Sequence, residues 1–222
     1  MAKTKAEFLN LEEHINGYIY LSCGETETFE YIAYLAKKIQ KLHPAIRFHI
    51  DSGNAQYVID RLDKGLLDFC IVIDPVDITR YHYLDLPSKD TWGLLMRKDS
   101  PLATQQKIVA RDLFDIPLIC SRQLLSDSLA KNIVANWLGE TLTRLNIVAT
   151  YNLIFNATIF VRTGIGYAIC LDKLANTSDH SELCFRPFYP RLESGLNFIW
   201  KKEQIFSKAS ELFLNHVRAL FK

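Results

Sequence analysis

The chain has 222 residues, 26 Lys+Arg against 25 Asp+Glu, a formal charge of +1, and 49% hydrophobic and 23% charged residues. Those proportions exclude a disordered or collagen-like chain, and the length suits one large domain or two small ones around a real core. The near-zero charge argues against a chain that grips nucleic acid by itself, which would show a basic excess or a basic patch.

In chain order, Phe8, Leu11 and Ile15 fall at helical spacing and Gly17 stops the pattern. Residues 1–16 therefore read as a short amphipathic helix, the tail of a longer one. Tyr18 to Cys23 (YIYLSC) is a β-rich apolar run that reads as a buried strand. A helix follows Gly24-Glu25-Thr26-Glu27-Thr28, with Phe29, Ile32, Leu35, Ala36, Ile39 and Leu42 on one face and either Thr28 or Thr26 as its N-cap. Pro44 ends it. Ile46 to Ile50 alternates as a strand, and Asp51-Ser52-Gly53-Asn54 is a turn. A second helix puts Val58, Leu62 and Leu66 on one stripe, with Gly65 as its breaker, and Leu67 to Ile73 is another buried strand. Strand, helix, strand, helix, strand with short turns predicts right-handed βαβ crossovers and a parallel sheet.

From Tyr83 to Leu95 the rhythm changes to short strands, YLDL and WGLLM. Asp112-Leu113-Phe114 opens a helical turn ahead of the strand Pro117 to Cys120. Leu124 to Gly139 reads as a helix with Leu129, Ile133 and Trp137 four apart. Asn146 to Thr150 is a strand, Asn152 to Arg162 a helix, and Gly166 to Leu171 a buried strand. This second βαβ region runs from near residue 90 to 171. Glu182 to Phe188 and Leu196 to Lys201 read as strands. Ser207 caps a last helix carrying Leu212, Phe213, His216, Val217 and Leu220. A closing strand and helix predict that the chain returns to the first lobe. Two α/β lobes joined by two crossings enclose a cleft, and clefts at strand C-termini bind ligands.

No window approaches about 18 uncharged apolar residues, so no transmembrane helix is expected. The start, MAKTKAEFLNLEEH, has no apolar core of a secretory signal. Cys23, Cys70, Cys120, Cys170 and Cys184 are odd in number, widely spread and without a CxxC, so neither zinc spacing nor a disulfide framework is present. They read as buried reduced thiols, with a redox-sensing pair as the sharper alternative. Gly164-Ile165-Gly166 precedes a strand and is no dinucleotide fingerprint. P-loop, HExxH and GxSxG patterns are absent, the six histidines are scattered, and no nucleophile–base–orienter set stands out. Glu25 and Glu27 alternate along a loop and read as a solvated face or as part of the cleft.

Polar residues do gather at predicted strand ends: Gly24 to Thr28, Ser52 to Asn54, Asp74, Cys120 to Arg122, and Thr150 to Asn152. Helix N-termini begin just beyond several of them. Ordinary capping accounts for any one position, but several converging on one cleft suit a small anion, a carboxylate or a phosphate.

With these residues in place, the chain resembles the effector-binding domain of LysR-type transcriptional regulators. Gly17 to Leu21 is similar to the family's opening strand, and His43-Pro44-Ala45-Ile46 to its entry into the second. Gly53, Val58, Leu62 and Gly65-Leu66-Leu67-Asp68-Phe69 with Ile71 resemble its "G…L…L…G.LDlaI" run. Asp99-Ser100-Pro101-Leu102-Ala103 resembles "dHPLA", with Ser100 in place of His. Asp112-Leu113 with Pro117-Leu118-Ile119 resembles "dL…pli", and Val161 to Ala168 resembles "V..G.Gia". Each motif alone is weak, and six in order over residues 17–210 are specific.

The resemblance implies an α/β fold of two Rossmann-like subdomains, type 2 periplasmic-binding-protein-like. Residues 1–16 would end a linker helix, 17–89 with 172–222 would form subdomain I, and 90–171 subdomain II. It implies a cytoplasmic, non-enzymatic sensor without cofactor or metal, whose partners are a small-molecule effector, favoured as anionic, and a second copy of the chain. The homodimer would become a tetramer at full length. DNA would be bound only through an N-terminal winged helix-turn-helix that these residues do not include. By position, the implied effector residues are Thr26, Glu27, Asn54, Asp74, Ser121 and Asn152. The chain departs from the family at Gly24, Ile73 and Leu171, and having only Cys120 after the lobe-two strand argues against a peroxide switch. A stand-alone solute-binding protein of the same fold, or an aromatic-acid dehydratase-like enzyme, are the competing readings.

Overall fold

A computed structural model describes residues 15–125 and 133–221. Phe8, Leu11 and Leu129, on which two helical expectations partly rest, lie outside them. The chain builds two sheets. The first holds β1 (Gly17–Cys23), β2 (Ile46–Ser52), β3 (Phe69–Ile73), β4 (Tyr81–Asp85) and, from far along the sequence, β11 (Leu196–Lys201), in the order β2-β1-β3-β11-β4. As the βαβ rhythm predicts, β2, β1 and β3 are parallel, joined by helices α1 (Phe29–Leu42) and α2 (Ala55–Asp63). β11 then runs antiparallel between β3 and β4.

Alternation along β3 explains the layering. Phe69 and Ile71 join the core under α1 and the last helix, α5 (Lys208–Leu220), while Cys70 and Val72 pack with Val58 and Leu62 of α2 on the other face. A strand covered on both faces reads as the continuous apolar run FCIVI. Phe69 and Phe198 stack within this core and Phe213 packs tilted against both, each ring burial contributing about 1.5–3 kcal/mol. Ser207 caps α5 as predicted, its hydroxyl accepting the Ser210 N–H at 3.1 Å.

The second sheet holds β5 (Asp90–Arg97), β6 (Pro117–Ser121), β7 (Asn146–Tyr151), β8 (Tyr167–Leu171), β9 (Leu183–Pro187) and β10 (Glu193–Ser194), in the order β10-β5-β8-β6-β7 with β9 also on β5. β6 pairs in parallel with β7 and β8. Helix α4 (Ile154–Arg162) covers the face bearing Ile119, Ala168 and Cys170, and α3 (Ile133–Leu138) covers the face bearing Leu118, Cys120 and Ile169. The long helix expected to Gly139 ends in α form at Leu138 and tightens to a 3-10 turn over Gly139–Arg144.

The strand pairing differs from the expected division at the return. The chain passes from β4 of the first sheet to β5 of the second between Asp85 and Asp90. The return was placed at residue 172, yet β9 and β10 pair with β5, so the chain rejoins the first sheet only at Leu196. The cause is β5, whose side away from β8 is open and is completed by β9, Leu95 standing opposite Phe185. Gly93 permits it, since a Cβ there would run into the Arg186 carbonyl oxygen and the Phe185 ring. No helix among the described residues is long and apolar enough to cross a membrane.

Candidate functional site

Polar contacts gather at the two crossings, and the buried one between Thr28 and Asp90 ties the first sheet's helix to the second sheet. Thr28 Oγ1 donates to Asp90 at 3.2 Å, and Trp92 Nε1 donates to Ser194 Oγ at 2.9 Å. The Asp74 N–H donates to the Gly195 carbonyl at 2.9 Å, and Asn197 Nδ2 donates to the Asp74 carboxylate at 2.8 Å. Gly195 must be bare there, because an added Cβ would stand 2.7 Å from the Asp74 carboxylate.

Between the sheets, at the C-terminal ends of β3, β6 and β8, lies a cavity of about 710 Å³. Asn54, Ile73 and Asp74 line it from the first sheet, with Asp60 and Asp63 of α2. Trp92, Ser121, Gln123 and Leu171 line it from the second. A smaller annex of about 80 Å³ extends it toward Gly24, Glu25, Asn152 and Ile154. Of the six residues expected from the sequence, Asn54, Asp74 and Ser121 line the main cavity from opposite sheets, and Asn152 lines the adjoining annex, which shares Asn54 and Ser121 with it.

Each polar group has a local reason to be there. Asn54 caps α2, its side-chain oxygen accepting the Tyr57 N–H at 2.9 Å. Ser121 ends β6 and accepts the Gln123 N–H at 3.4 Å. Burial raises the Asp74 carboxyl above its ordinary value, the Asn197 amide works the other way, and Asp85 adds to the rise.

Thr26 and Glu27 do not line the cavity. Thr26 is buried with its hydroxyl oxygen accepting the Thr28 N–H at 3.0 Å, so it serves the turn that starts α1. Glu27 is exposed. The loop's contribution comes from Glu25, whose carboxylate accepts the N–H of Ile154, the first residue of α4, from across the gap. The N-cap of α4 is Leu153, which has no side chain able to cap, so a carboxylate of the opposite sheet takes that place. The apolar residue at that cap position was the sequence signal for such a partner. Burial raises the Glu25 carboxyl, and the Ile154 bond partly offsets it. Sequence reading also missed Asp60, Asp63, Asp77, Arg80 and Gln123 of the lining.

Among the described residues no group of three or more His, Cys, Asp and Glu is placed to hold a metal. The space is a cleft lined by both apolar and polar side chains.

The family profile described as LysR substrate binding domain matches residues 12–222. The chain is 25% identical over 214 residues to the Uncharacterized HTH-type transcriptional regulator YfeR of Shigella flexneri, covering 93% of this chain and 66% of that protein, so it spans just under two thirds of that relative. Its fold is similar to the effector binding domain of QuiR in complex with shikimate, with a TM-score of 0.77 and 18% identity over 93% of this chain and 98% of that one. It is also similar to the regulatory domain of CcmR from Synechocystis PCC6803 in complex with 2-PG, with a TM-score of 0.71 and 18% identity, again over 93% and 98%. These neighbours share the type 2 periplasmic-binding-protein-like architecture.

Proposed function

This chain belongs to the LysR substrate-binding-domain family, and from that premise we propose that it is the effector-sensing part of a transcriptional regulator, binding a small metabolite between its two lobes. The observation that carries this reading is the 710 Å³ cavity lined from both sheets at strand C-terminal ends. Its size suits one small organic molecule. Asn54 and Asp74 on one side and Ser121 and Asn152 on the other are the groups we assign to contact it. Thr26 acts on the turn that follows Glu25, and Glu27 is exposed outside the cavity.

A ligand touching both lobes favours the arrangement in which both contacts are made. Its leverage equals its difference in affinity between two arrangements, and a full reversal from 1:99 to 99:1 needs about 10⁴-fold, or about 5.5 kcal/mol. We take the lobes, over the described residues, as 17–89 with 196–221, and 90–125 with 133–194. We further propose that two copies pair, that lobe angle alters how a preceding helix-turn-helix meets DNA, and that the protein works in the cytoplasm. The QuiR and CcmR domains, described with shikimate and 2-PG bound, support a small-metabolite ligand. The carboxylate-rich lining speaks against the anion that the strand ends favour. No specific observation favours a solute-binding protein or a dehydratase-like enzyme.

The test is thermal unfolding of the wild type and of Ser121→Trp across a metabolite set. A stabilising metabolite for the wild type that leaves Ser121→Trp unmoved is expected. Equal stabilisation of both would place binding elsewhere.

A further inference from the structure

The cleft is not electrically neutral. Among the described residues, four carboxylates line the main cavity, Asp60, Asp63, Asp74 and Asp77, against two guanidiniums, Arg80 and Arg122. Arg80 and Asp63 offset each other: Arg80 Nη2 lies 3.5 Å from Asp63 and 3.4 Å from the Tyr81 hydroxyl, and the guanidinium sits 5.6 Å from that ring's centre. Arg122 is exposed at the rim. Rim charges are screened within about 8 Å at physiological salt. Asp74 is different, because it is half-buried at the floor, where a charge acts with less screening.

A second observation is independent of that charge count. The backbone N–H at the start of a helix is the natural seat for an anion. At α4 that seat opens onto the annex and is filled by Glu25 of the opposite sheet. An incoming carboxylate would have to displace Glu25 and then lie beside it. A cation would meet Asp74 in the main chamber and keep Glu25 in place. The apolar wall of Ile73, Trp92, Ile133 and Leu171 leaves room for a hydrocarbon or aromatic frame.

We propose that the cleft takes a small organic cation, an amine protonated at neutral pH on a partly apolar frame, with Asp74 as its counter-charge and Glu25 excluding a carboxylate from the α4 end. This rests on the reading of the cleft as the ligand site. It departs from the anion favoured by the strand ends, because the Tyr57, Gln123 and Ile154 N–H groups at those ends already donate to side chains of the chain.

The experiment is calorimetry with two matched pairs of probes: tyramine against 4-hydroxyphenylacetate, and cadaverine against glutarate. At least one amine is expected to bind the wild type about tenfold or more tighter than its carboxylate partner. Asp74→Asn keeps an oxygen for the Asn197 amide and should weaken the amine about tenfold. The exposed double variant Asp60→Asn/Asp77→Asn should weaken it less and make it less salt-dependent, which tests the charge argument even if Asp74→Asn does not fold. Glu25→Gln should narrow the gap between amine and carboxylate. Tighter binding of the carboxylates, an unchanged amine affinity in Asp74→Asn, or no binding of either amine at millimolar concentration overturns the proposal. Ser121→Trp separates the two levels. Carboxylates that bind the wild type but not Ser121→Trp would leave the cleft standing and sink the cation. Amines that bind both proteins equally would sink the cleft itself.

Discussion

The hydroxyl of Thr28, at the start of α1, donates to the carboxylate of Asp90, the first residue of β5, at 3.2 Å. One hydrogen bond thereby ties the helix above the first sheet to the opening strand of the second, at the crossing where a hinge motion would pass. Asp90 is 8% exposed. Burial raises its carboxyl. The Thr26 and Thr28 hydroxyls and Lys173 work against the rise, and Glu27 works with it.

Stability should therefore fall with rising pH through this group. A carboxyl whose value is raised in the folded chain binds more protons there than in the unfolded one. Its contribution is fully present below the unfolded value, about 4, and is lost as pH rises through the folded value. Glu25, Asp68 and Asp74 are raised as well, so they act in the same sense. Urea unfolding from pH 4 upward should show this decline. Asp90→Asn, which keeps an oxygen for Thr28, should make it shallower. A slope identical to the wild type would mean that Asp90 ionises in the folded chain as it does in water.

Gly93→Ala should be costly although it adds one methyl. Its Cβ would meet the Arg186 carbonyl and the Phe185 ring, and a strand backbone gives way less easily than a side-chain tip. A loss of about 1–3 kcal/mol is expected, within the usual range for overpacking. Urea midpoints at constant slope measure it. A loss below about 0.5 kcal/mol, the ordinary scale of a surface change, would show that β9 is free to move away.

The five cysteines should be unreactive in the folded chain. All are free and buried. Burial pushes Cys120 up to about 12, and Cys23, Cys70, Cys170 and Cys184 are raised as well, so almost no thiolate exists at neutral pH. A thiol-reactive dye should label them only at the rate of unfolding. Rapid labelling of one cysteine in the native chain would revive the redox-sensing alternative.

Much of the fold was legible because its signals are local. Apolar runs as in β3 and β6, the helical spacing of Ile32, Leu35 and Ile39, the stop at Pro44 and the cap at Ser207 need no knowledge of distant partners. The strand over Leu183–Pro187 was legible for the same reason, but its partner was not. Nothing in LCFRP says that it will complete β5, some 90 positions earlier, instead of starting the return to the first sheet. The site was half legible. Asn54, Asp74, Ser121 and Asn152 stand at strand ends, and topology alone carries strand ends to the cleft. Thr26 against Glu25 is a matter of which way neighbouring loop side chains turn, decided by Asp90 and by the uncapped N-terminus of α4, both remote in sequence. Asp60 and Asp63 carry no local signal of a site, because the lobe that makes their helix a cavity rim comes from elsewhere in the chain.

The central claim is that one ligand touches both lobes at once. Amide chemical shifts of the chain, recorded during titration with whichever metabolite or amine stabilises it, test this most directly. The expected result is a single saturating transition in which Asn54 and Asp74 move together with Ser121 and Leu171. Shifts confined to one sheet, or centred away from these four residues, would contradict it.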